Sequence, residues 1–86
     1  MNRFTVTPNP VQQGGAVQVC YDFKGPPPAT SPVKVTIEWD GVPPPVEFEL
    51  SKDKPCGMLD VPTLATGGLL VDGSGQSEDR AITVTP

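Results

Sequence analysis

Eighty-six residues, 36% hydrophobic and 19% charged, are enough for one domain with a modest core and too few for two. A formal charge of −4 without any basic cluster argues against nucleic acid and anionic membrane surfaces, because phosphate binding needs concentrated Lys or Arg. No apolar run is long enough to span a bilayer, and the absence of histidine removes the base that a Ser-His-Asp or Cys-His nucleophile requires.

Met1 leads directly into strand-like sequence with no signal-peptide pattern. The chain therefore reads either as a module cut from a longer exported protein or as a small complete protein exported by another route. Phe4-Thr5-Val6-Thr7 alternates as a first, edge strand, ended by Pro8-Asn9-Pro10. Residues 11–15 read as a turn, with Gly14 and Gly15 free to take positive φ. Over residues 16–23, Val17, Val19, Tyr21 and Phe23 share one face of a second strand, and Gln18, Cys20 and Asp22 share the other. Residues 25–32 form a stiff proline-rich loop.

The third strand, 33–39, alternates without a fault: Val33, Val35, Ile37 and Trp39 face inward, and Lys34, Thr36 and Glu38 face outward. Residues 40–45, ending in three prolines, read as a turn; Val46, Phe48 and Leu50 then face inward from a short fourth strand. A polar turn at 51–55 precedes a fifth strand, 56–61, with Leu59 and Val61 inward and Cys56, Met58 and Asp60 outward. After a corner at 62–68, Leu69-Leu70-Val71 reads as a strand buried within a sheet. A loop at 72–80 and a closing strand through Ile82 and Val84 complete seven strands. Twelve prolines and nine glycines fall mostly between the alternating runs, and no window has a helical period. The expected fold is all-β: one immunoglobulin-like, seven-strand antiparallel β-sandwich over residues 1–86, with a small closed barrel as the alternative.

Cys20 and Cys56 are the only cysteines, too few for a structural zinc site without histidine and too far apart for a Cys-x-x-Cys redox motif. They are paired or they are two free thiols. The strand phases favour a disulfide, because both lie on the outward face of strands that neighbour each other in such a sandwich. A disulfide would in turn point to an oxidising compartment, extracellular, periplasmic or on a cell or virion surface.

Thr7-Pro8-Asn9-Pro10-Val11 followed by residues 14–19, and residues 72–77 followed by Ala81-Ile82-Thr83-Val84, resemble the opening and closing segments of immunoglobulin-like and fibronectin type III-like modules of exported bacterial proteins. Trp39 matches the core tryptophan of immunoglobulin domains, whereas Cys56 precedes the strand that would carry their second cysteine. The resemblance implies a non-enzymatic structural or adhesive module. It equally allows a carbohydrate- or protein-binding accessory domain, or a phage or particle decoration protein.

The residues offer little chemistry of their own. Glu47 with Glu49, and Glu78 with Asp79, sit on solvated positions without the cleft that acid catalysis needs. Gly73-Ser74-Gly75 lacks the spacing of a nucleophile elbow and the context of a phosphate loop. No cofactor is implied, and a small-molecule ligand is not expected. Asp72, Ser74, Gln76, Glu78 and Asp79 could offer oxygens to calcium, although their spacing is not that of an EF-hand. The loops 24–32, 51–55 and 72–80 should gather at one end. There Lys24, Lys52, Asp53, Lys54, Glu78 and Asp79 are the candidate contacts for a protein or surface-assembly partner.

Overall fold

The computed structural model describes all 86 residues, and every regular element is a strand. In chain order these are β1 (Phe4–Thr7), β2 (Val11–Gln12), β3 (Ala16–Tyr21), β4 (Val33–Trp39), β5 (Val42–Leu50), β6 (Cys56–Asp60), β7 (Gly68–Asp72), β8 (Arg80–Ile82) and β9 (Val84–Thr85). A three-stranded antiparallel sheet, β1-β3-β6, contributes Phe4, Val6, Val17, Val19 and Tyr21 to the core. A four-stranded antiparallel sheet, β5-β4-β7-β8, contributes Val33, Val35, Ile37, Trp39, Leu50, Leu70 and Ile82 to the same cluster. The alternating phase of β3 and β4 thus decides which residues meet between the sheets.

Trp39 packs where β4 meets β7, directly opposite Gly68 in the register. A Cβ at Gly68 would stand 2.8 Å from Trp39 Cε3, so the indole can lie over this position only because it carries no side chain. Phe4, Tyr21 and Phe23 continue the core toward the opposite end, with ring centroids 5.2 Å apart for Phe4–Tyr21 and 4.8 Å for Tyr21–Phe23.

Four expectations need correction. Val11 is no turn residue: β2 pairs in parallel with β9, Val11 opposite Val84, and Val11 is buried. The strand segments therefore number nine, and the last run divides, β8 pairing with β7 and β9 with β2. Second, the hairpin after Trp39 needs only Asp40 and Gly41, Gly41 at φ +84°, so Pro43, Pro44 and Pro45 lie within β5. They fit there because β5 is an edge strand with one neighbour, where a missing N–H costs least. Third, Val46 lies opposite Ile37 yet is 46% exposed, on an edge strand with a neighbour on one side only, while Phe48 and Leu50 of the same strand pack on the core. Fourth, only Leu70 of Leu69-Leu70-Val71 is fully buried; Leu69 and Val71 face outward and are half-buried, so this strand alternates like the others.

Candidate functional site

The loops at 22–32, 51–55 and 72–79 meet at the end of the molecule where β3 and β7 finish and β1 begins. The amide of Thr30 donates to Gln76 Oε1 (2.8 Å), and the amide of Lys52 donates to Ser31 Oγ (3.0 Å). Two buried polar side chains hold this end together, and neither stood out in the sequence as structural.

The first is Arg3, 4% exposed. Its Nε donates to the carbonyl of Gln76 (3.2 Å) and its Nη1 to the carbonyls of Asp22 (3.0 Å) and Gly25 (3.3 Å). Its Nη2 donates to the carbonyl of Pro27, and its own amide donates to Ser77 Oγ (2.8 Å). No carboxylate lies within ion-pair distance of this guanidinium, since the one ion pair in the structure joins the amino terminus to Glu78 at 3.9 Å. The fork of donors instead gathers carbonyls from two loops that otherwise have no reason to stay together. No local pattern marks Arg3 for this role; only the three-dimensional convergence of the loops does.

The second is Asp72, at the end of β7 and 6% exposed. It shares the inward phase of Gly68 and Leu70, a signal the sequence did contain. Its Oδ2 accepts from Tyr21 Oη (2.6 Å) and the Gln76 amide (3.1 Å), and its Oδ1 from the Ser74 amide (2.8 Å) and Ser74 Oγ (2.5 Å). Burial pushes this carboxyl's pKa up, but the Ser74 hydroxyl, the Tyr21 hydroxyl and the two amides outweigh it and hold the group below its ordinary value. Tyr21 moves the other way, pushed up to about 12 by burial first, then by its hydrogen bond to Asp72 and by the Asp72 charge. The pair spans the two sheets and ties both to the 72–76 turn.

The five oxygen-bearing residues considered for calcium do not converge. Asp72 is occupied by its own turn, Ser74 Oγ donates to it, and the Gln76 amide group is paired with Thr30. Glu78 sits beside the amino terminus, and the Asp79 carbonyl accepts from Asn2 Nδ2 (3.2 Å). No group of three or more acidic or cysteine side chains is placed to hold a metal ion.

Cys20 and Cys56 stand directly opposite in the β3–β6 register and are joined by a disulfide, with Cα atoms 4.1 Å apart. Both side chains are half-buried on the outer side of the sheet, as the strand phases require. The residues next to them inside the loop end, Tyr21 and Pro55, are joined by a backbone bond from the Tyr21 amide to the Pro55 carbonyl (2.9 Å).

Beside that bond lies an open concavity of about 520 Å³, lined by Tyr21, Asp22, Phe23, Lys24, Pro28, Lys52 and Pro55. Of the six candidate contact residues, the fold brings Lys24 and Lys52 together here. Asp53 and Lys54 project from the neighbouring turn, which is closed by reciprocal backbone bonds between Ser51 and Lys54 (3.1 Å each). Glu78 and Asp79 lie apart, by the amino terminus. Asp22 also borders the concavity, but its Oδ1 accepts from the amides of Lys24 and Gly25 (2.9 Å each), and those bonds, Gly25 first, hold its pKa below the ordinary value.

No protein-family model, no curated protein and no solved structure matches this chain.

Proposed function

We propose that this chain is an immunoglobulin-like, fibronectin type III-like module serving as a non-enzymatic structural or adhesive unit of an extracellular or surface assembly. The observation that carries this reading is the Cys20–Cys56 staple between adjacent strands. It closes a sequence separation of 36 residues, worth about 3–4 kcal/mol on the chain-entropy estimate, a large share of the stability of so small a domain, and is compatible with an oxidising compartment.

Two further observations support it. The order β1-β3-β6 against β5-β4-β7-β8 suits the sandwich architecture of such modules. Of the three groups with shifted pKa values, Tyr21 and Asp72 are bonded to each other and Asp72 to the turn that follows, while Asp22 is bonded to the amides of Lys24 and Gly25. A carbohydrate-binding accessory role would call for exposed aromatic platforms, and Trp39 is only 7% exposed.

Pulling a concatemer of this domain end to end tests the reading. A structural module should unfold in one step, refold when released, and lengthen less when oxidised than when reduced, because the disulfide shields the segment between Cys20 and Cys56 from load. A chain that yields gradually at the lowest loads would count against a structural role.

A further inference from the structure

We propose that the concavity between the 22–28 and 51–55 segments is a docking site for a short acidic peptide segment of a protein partner. An apolar side chain of that segment would rest on Pro28 and Pro55, and its carboxylates would meet Lys24 and Lys52.

Three features lead to this site over the rest of the surface. It is the one concavity of the molecule, and its size falls within the range of ordinary ligand sites. Its walls are already fixed: Arg3 holds the carbonyls of Asp22, Gly25 and Pro27, and the Lys52 amide is tied to Ser31. Pro55 is anchored through its carbonyl to Tyr21, one residue from the disulfide. Little backbone ordering entropy remains to be lost on binding, which is where preorganised sites gain affinity.

Charge selects the occupant. Lys24 and Lys52 form no ion pair, although the chain as a whole carries −4. The one carboxylate among the lining residues, Asp22, accepts through Oδ1 from the amides of its own turn. Two lysines without ion pairs beside two exposed prolines suit a ligand that is apolar and anionic at once, and the open side of the site suits an extended segment that continues beyond it. Of the exposed Met1, Val46, Met58 and Leu64, none lines the concavity. The inference goes beyond the structural-module reading, since a spacer with nothing bound here would satisfy that reading and fail this one.

The test is a backbone-amide NMR titration with an acetylated peptide that alternates leucine and glutamate, run beside its glutamine counterpart. Saturable shifts centred on the amides of residues 22–25 and 52–54 are expected with the glutamate peptide, weakening at least about tenfold at high salt, in the glutamine peptide, or in the Lys24→Gln/Lys52→Gln double variant. Both lysines are exposed, so the variant should fold as the parent does. No saturable shift up to about 5 mM peptide, equal binding of the glutamine peptide, or undiminished binding to the double variant would overturn the proposal.

Discussion

Replacing Asp72 with asparagine is the sharpest probe of how the loop end is held. The substitution keeps the shape and exchanges one acceptor oxygen for a donor. In the native structure both oxygens face donors: Tyr21 Oη and the Gln76 amide on one, the Ser74 amide and hydroxyl on the other. Whichever way the new amide turns, its NH₂ meets a backbone N–H, so at least one part-buried donor loses its partner. An unsatisfied buried donor costs about 1–3 kcal/mol and a part-buried one less, while loss of the charge-assisted character of the remaining bonds adds to this, so Asp72→Asn should cost about 1–3 kcal/mol. Urea unfolding at neutral pH measures it. Because the native carboxyl titrates below its ordinary value, its contribution is complete above the unfolded pKa of about 4 and is lost as pH falls through the native pKa. The gap between wild type and variant should therefore close on acidification. A cost below about 0.5 kcal/mol, or a gap that stays constant down to low pH, would refute the role assigned to Asp72.

Tyr21 gives the alkaline counterpart. Its pKa is raised from 10.0 to about 12, so the stability it adds is complete below pH 10 and disappears as pH rises through about 12; in Tyr21→Phe that alkaline loss should be absent from the unfolding curves. Replacing both Tyr21 and Asp72 should expose a coupling of about 1 kcal/mol or more in a double-mutant cycle, and strictly additive effects would argue that they do not interact. Arg3→Leu should cost about 3 kcal/mol and raise amide exchange in residues 22–25 and 76–78 more than in β4 and β7; uniform exchange would show that the guanidinium does not hold these loops.

What the sequence disclosed was governed by period two. β3 and β4 alternate cleanly because each has a fully buried face and an outer one, and this phase alone put Cys20 and Cys56 on the same side of their sheet. The same rule, carried through β7, points Asp72 inward behind Leu70, but an aspartate followed by Gly-Ser-Gly reads more readily as the start of a solvated loop. Three consecutive prolines read as a turn because proline cannot serve a central strand; that β5 is an edge strand depends on which strands flank it, which no local window reveals. Val11 and Arg3 were hidden for the same reason. One is paired with β9 and the other bonded to carbonyls of residues 22–27 and 76, partners fixed by the tertiary fold. At the candidate site, Lys24 and Lys52 were legible as loop charges, while the proline-walled hollow between them was not.

The claim on which the account rests is that β3 and β6 pair in the register that sets Cys20 against Cys56. Mass analysis of air-oxidised monomer, denatured without reductant and treated with iodoacetamide, tests it directly. The account predicts no alkyl adduct before reduction, two after it, and a cross-linked pair of proteolytic fragments carrying residues 20 and 56. Two adducts on the unreduced monomer would contradict it.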